Sequence, residues 1–191
     1  MSTKFKVIFG VILVTGVIGL WATHVGYKKV DNYMSLEKYS KFLKKEFDEV
    51  EHISTSSLET LIRSHEAGIE TLHLIDCRQP DEFAVSHIKG AANLQTAEDA
   101  AEYIKALSGS QEANIAIYCS VGYRSSQLAE ELMEEGFSNT KNVLGSIFEW
   151  ANEDRPLVNS EGQETTLVHP YNKFWKRHLS EGKAADVPDL E

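Results

Sequence analysis

Apolar positions along the chain fall into short, nearly unbroken runs, separated by stretches in which they recur every three or four residues. That is the pattern of strands alternating with amphipathic helices. "TLHLIDCR" (71–78) and "ANIAIYC" (113–119) are the clearest runs and read as strands inside a parallel sheet, while "TKNVLGSI" (140–147) reads as a further short strand. Ser57 is placed to cap a helix over "LETLIRSHEAG" that stops at Gly68. "AEDAAEYIKALSG" puts Ala100, Ile104 and Leu107 on one face, and "SSQLAEELMEEG", beginning near Ser125, buries Leu128, Leu132 and Met133 before Gly136 ends it. The alternation predicts an α/β domain built on an open, mostly parallel five-stranded sheet with helices on both faces.

The two ends show other patterns. From Val7 to Tyr27 there is no Asp, Glu, Lys or Arg, and as a helix rising about 1.5 Å per residue this run matches a hydrocarbon core about 30 Å thick. Residues 1–30 are therefore expected to form a single-pass transmembrane anchor; a cleaved signal peptide is the competing reading, weakened by the lack of a good Ala-x-Ala site in "LWATHVG". The lysines after the span favour a cytoplasmic position for the domain, with the periplasmic or lumenal side as the alternative. Residues 31–50 place Leu36, Tyr39, Phe42, Leu43 and Phe47 at helical spacing, a stalk helix expected to pack on the domain. Residues 158–191 read as a C-terminal extension with a short helix in "NKFWKRHLS" and a disordered tail in "EGKAADVPDLE".

Charge narrows the partners. All 29 Asp and Glu lie after residue 30, together with 15 of the 19 Lys and Arg, so that part of the chain carries 15 minus 29, or −14. Such a body repels phosphate backbones, and nucleic acid is excluded as an expected partner. The two cysteines form no Cys-x-x-Cys or Cys/His cluster, so no metal and no cofactor is expected.

Chemistry concentrates in "YCSVGYRSSQ" (118–127). Cys119 ends a strand, where ligands collect in open α/β sheets. Gly122 permits an unusual φ in the wrapping loop. Inward N–H groups, the positive end of the next helix and Arg124 together favour an anion and a thiolate. The plain alternative is an inert buried thiol, with Arg124 paired to a surface carboxylate.

Several segments resemble a rhodanese (sulfurtransferase) domain over residues 51–157. "LIDCRQPDEFAVSHIKGAANL" is similar to that family's signature through Asp76, Arg78, Glu82, Phe83, His87, Ile88, Gly90, Ala91 and Asn93; "YCSVGYRSSQLAEEL" resembles its active-site loop and "NVLGSIFEW" its closing strand and turn. The resemblance implies that Cys119 accepts sulfur in a pocket lined by Ser120, Val121, Gly122, Tyr123 and Arg124. The expected activity moves a sulfane sulfur from a donor such as thiosulfate to cyanide or a thiol, a protein thiol included, through a Cys119 persulfide. Cysteine phosphatases and arsenate reductases share the cysteine loop but place five residues between Cys and Arg, against four here. A catalytically silent binding module is the third reading, against which the chain keeps its cysteine.

Other polar residues invite competing readings. Asp76 and Arg78 are expected to support the loop by pairing rather than to react. His87 belongs to a structural turn, and His169 is expected at the surface. Cys77 reads as a small buried hydrophobe or as a resolving thiol for Cys119, since both end strands of one sheet. Ser146 stands where relatives commonly have a second glycine, which puts the local turn in question.

Overall fold

A computed structural model of the chain describes residues 35–108 and 114–188. The expected span over 7–27 lies outside the described residues, and among those described no helix is long and apolar enough to cross a membrane.

In chain order the elements are α1 (Leu36–Glu46), β1 (Glu51–Ile53), α2 (Thr55–Glu66), β2 (Leu72–Asp76), α3 (Pro80–Val85), β3 (Ala92–Asn93) and α4 (Ala97–Ser108). They continue with β4 (Asn114–Tyr118), α5 (Tyr123–Glu134), β5 (Thr140–Val143), α6 (Ser146–Asn152), β6 (Leu157–Val158), β7 (Glu164–Thr165) and α7 (Lys173–Lys176). Five strands form one sheet in the order β1-β5-β4-β2-β3, every neighbouring pair parallel, and β6 and β7 form a separate antiparallel pair. Helix α2 packs on β2 and α6, while α5 packs on β4, β5 and α4.

Two central strands carry the core. Ile75 on β2 and Ile115, Ala116 and Ile117 on β4 are fully buried, which is why these segments read as unbroken apolar runs. From β2 the chain moves outward to β3, whereas from β4 it moves the other way, to β5 and its neighbour β1. The carboxyl ends of β2 and β4 thus form the switch point at which open α/β sheets bind ligands. Cys77 and Cys119 are the residues that leave those two ends.

Several local expectations are adjusted. Helix α2 is capped by Ser54, whose Oγ accepts the Ser57 N–H, so it begins at Thr55 rather than after Ser57. Leu107 lies on the exposed side of α4, and Phe42 is exposed on α1, where Leu43 is buried. The segment expected as a disordered tail pairs through Ala184 with Val168, buries Ala185, and sets Lys183 against Asp154. Just ahead of it, the Asn152 side chain bonds to the backbone of His178 and Ser180.

Candidate active site

Cys119 begins a loop whose conformation is set from two sides. On one side, Cys119 and Ser120 give their carbonyls to the N–H groups of Ile147 and Phe148 in the first turn of α6, each at 3.2 Å. That turn exists because Gly145 and Ser146 both take left-handed conformations, φ 67° and 49°. For Ser146 this conformation is uncommon and costs about 1 kcal/mol or more. The residue compensates chemically, since its Oγ donates to Val143 O at 2.9 Å and accepts the Cys119 N–H at 3.2 Å. The departure from glycine therefore preserves the turn and adds a tie to the loop. Ser146→Ala keeps the strain and loses both bonds, so chemical denaturation is expected to show a loss of about 1–3 kcal/mol; Ser146→Gly, which relieves the strain, is expected to fall closer to the native protein.

On the other side, Gly122 holds φ 109° and caps α5, which starts at Tyr123, two residues ahead of the expected Ser125. A Cβ at Gly122 would sit 2.8 Å from Leu43 Cδ1, so α1 closes on the loop where only glycine fits. With the Cys119 and Ser120 carbonyls drawn to α6, the loop brings the Gly122 N–H to Cys119 Sγ at 3.1 Å. The Ser125 hydroxyl lies 3.5 Å from that sulfur and 2.6 Å from Asn142 Oδ1, and its one proton serves either acceptor. Asn142 in turn bonds to His52 at 3.0 Å, and His52 to Phe47 O.

The Cys119 thiol is 1% exposed, and burial alone would raise its pKa. A hydrogen bond from Cys77, the charge of Arg124 and hydrogen bonds from the Ser125 hydroxyl and N–H outweigh that burial and hold the thiol well below its usual range. These contacts favour the thiolate, the nucleophilic form, over the thiol. Cys77 shifts the opposite way, pushed up first by burial and then by Cys119 and Asp76. Both cysteines are free and buried.

Arg124 is near the thiolate but is committed elsewhere. It forms a two-pronged pair with Glu82, at 2.7 and 2.9 Å, and donates to Ser120 Oγ at 2.9 Å. Glu82 also accepts from Ser120 Oγ and from the Gln79 N–H, each at 3.0 Å. Tyr123 lies at the rim, its ring edge-on to Phe47, and Val121 is buried. Arg78 and Asp76 are wholly buried and paired at 2.7 Å, and Arg78 also donates to the Glu82 and Ser86 carbonyls, pinning α3 to the end of β2. Arg78 thereby ties the Glu82 backbone to the pair it makes with Asp76. His87 stacks on Phe83 and bridges to Val158, a structural position.

Glu82 stood in the motif but not among the expected site residues, and its role depends on a partner 42 positions away. The C-terminal extension also reaches the loop, through Tyr171 rather than His169. Its Tyr171, at φ 64°, sets its ring 4.9 Å from the Arg124 guanidinium, and its N–H bonds to His169 Nδ1 at 3.1 Å. His169 is buried, correcting the expectation of a surface histidine. A lone "VHPY" carries no periodicity by which this contact could be read.

Together these parts define a class: a parallel α/β domain with a buried cysteine sulfur, held by the Gly122 N–H and the Ser125 hydroxyl, at its switch point. The chain belongs to the rhodanese-like domain family, whose family model matches residues 54–153. A sulfurtransferase of Allochromatium vinosum is 32% identical over 96 residues, which cover 50% of this chain and 87% of that protein. The thiosulfate sulfurtransferase PspE of Escherichia coli is 32% identical over 73 residues, 38% of this chain and 69% of PspE. Among solved structures, a thiosulfate sulfurtransferase from Pseudomonas aeruginosa superposes with a TM-score of 0.52 at 18% identity, over 73% of this chain and 25% of that one, a likeness of fold.

Proposed function

We propose that the protein is a sulfurtransferase in which the Cys119 thiolate takes a sulfane sulfur from a small donor and passes it to a thiol or cyanide. The observation that carries this reading is the Cys119 sulfur itself, buried at the switch point and accepting the Gly122 N–H at 3.1 Å. With thiosulfate as donor, Cys119 Sγ attacks the outer sulfur, the bond between the two donor sulfurs breaks, and sulfite leaves with that electron pair. The product is Cys119–S–S⁻, whose charge the Gly122 N–H and the α5 N-terminus stabilise. An acceptor thiolate or cyanide then attacks the outer sulfur and releases the Cys119 thiolate.

The phosphatase reading is disfavoured by Arg124. A phosphoryl oxygen would need its guanidinium free, and here both prongs are held by Glu82 and a third bond goes to Ser120. Pairing also offsets the charge of Arg124, the one cation of the loop, so donor binding rests largely on backbone dipoles.

The test is direct. Reduced protein incubated with thiosulfate should gain the mass of one sulfur atom on the Cys119 peptide and release sulfite in equal amount. No sulfur uptake from thiosulfate or from a low-molecular-weight persulfide would overturn the reading.

A further inference from the structure

Cys77 makes or breaks no bond in that transfer cycle, yet it is the neighbour of the reacting sulfur along the sheet. The parallel register aligns Asp76 with Tyr118, and the Cys77 N–H continues the ladder by donating to Tyr118 O at 3.0 Å, so Cys77 and Cys119 are the next residues side by side. Side chains alternate along strands. Asp76 and Tyr118 share one face, where Arg78 pairs with Asp76 and lies over the Tyr118 ring at 6.0 Å. Alternation then turns Cys77 and Cys119 to the other, with the Cys77 thiol 3.4 Å from Tyr118 O, the carbonyl that leads into Cys119. Neighbouring strands lie about 4.8 Å apart, within the Cα separation of about 4.4–6.8 Å that a disulfide spans. Both sulfurs are buried, so the chemistry between them is shielded from water.

We propose that Cys77 turns the persulfide over from within, releasing the accepted sulfur as hydrosulfide and leaving a Cys77–Cys119 disulfide. This rests on the sulfurtransferase reading, because it begins from Cys119–S–S⁻. Cys77 Sγ attacks the inner sulfur, Cys119 Sγ; the bond from that sulfur to the outer one breaks, and its electron pair and the Cys77 proton leave on the outer sulfur as HS⁻. The sulfane sulfur is reduced to sulfide, and the two cysteines are oxidised to the disulfide. A small or protein dithiol then reduces the disulfide and resets the site. The protein would thereby be a sulfide-releasing enzyme with a dithiol as its reductant, besides a carrier of sulfur to acceptor thiols.

The order of events has an electrostatic reason. In the resting site the Cys119 thiolate opposes ionisation of its neighbour, so Cys77 stays protonated and Cys119 alone meets the donor. Once the persulfide forms, the negative charge moves one atom outward, that opposition weakens, and the inner sulfur becomes an electrophile beside Cys77.

The experiment uses full-length protein, reduced and freed of small thiols, treated anaerobically with thiosulfate and followed by intact mass and by sulfide assay. The native protein is expected to lose two hydrogens, yield a peptide joining Cys77 to Cys119, and release close to one sulfide per chain. Cys77→Val and Cys77→Ser are expected to hold the extra sulfur and release sulfide only at background. A native protein that holds the sulfur adduct and releases no sulfide overturns the inference and leaves the sulfurtransferase reading standing. Sulfide release from both variants equal to that of the native protein also overturns it. If neither the native protein nor the variants take up sulfur or yield sulfide, the sulfurtransferase reading falls, and the inference with it.

Discussion

Cys119→Ser is expected to lower sulfur transfer by at least about 10⁴-fold, the scale of removing a nucleophile that every later step depends on, and to abolish the sulfur adduct. A serine hydroxyl fits the space, since its oxygen is smaller than the sulfur and can still accept the Gly122 N–H. What it cannot do is ionise, because the groups that favour a thiolate here act on a thiol whose unperturbed pKa is far lower than that of an alcohol. The loop is also held independently of the sulfur, through the carbonyls of Cys119 and Ser120 bonded to α6 and the Cys119 N–H bonded to Ser146. Thermal unfolding of the variant should therefore stay within a few degrees of the native protein while turnover disappears. A separation of this kind identifies the sulfur as the reacting atom. Residual turnover within tenfold of native would mean that another group carries the reaction.

The same division between local and distant interactions explains what could be read from the sequence. Strands β2 and β4 were legible because both faces of each are buried and most positions are therefore apolar, with His73 and Asp76 on β2 and Asn114 on β4 as the exceptions. The cysteine loop was legible because its order of strand end, cysteine, glycine and helix start is contiguous. Glu82 was harder to read, since its bonds reach across 38 and 42 positions to Ser120 and Arg124, and spacing along one helix says nothing of such partners. Ser146 raised doubt because a side chain at a left-handed position usually costs stability; its hydroxyl finds two partners only in the folded turn. In the extension after Leu157 only the short helix in "NKFWKRHLS" could be read. The rest of its order comes from contacts between residues far apart in the chain, His87 to Val158, Val168 to Ala184 and Asn152 to His178 and Ser180.

Glu82→Gln tests whether the anchor of the loop is as charged as its contacts indicate. Burial would raise the Glu82 pKa, but hydrogen bonds and charge from Arg124, together with the Gln79 N–H, hold it below the usual 4.5. A folded-state value below the unfolded one contributes stability that is present above the unfolded value and is lost as pH falls through the folded value. The stability gap between the native protein and Glu82→Gln should therefore be full near neutrality, begin to narrow around pH 4.5, and close below that, as followed by urea unfolding across pH. Near neutrality the gap is expected to be about 2–4 kcal/mol, the cost of removing one partner of a buried pair, reduced because the Arg124 side chain is 27% exposed. The amide can still accept from Ser120 and from one prong of Arg124, so the loop should persist. With the carboxylate gone, the charge of Arg124 is no longer offset beside the loop, and the site becomes more positive. The KM for thiosulfate, a dianion, should then fall while stability falls, two opposite changes that a merely structural role for Glu82 would not produce. A gap that stays constant from about pH 6 to about pH 3 would show that the Glu82 charge contributes nothing to holding the loop.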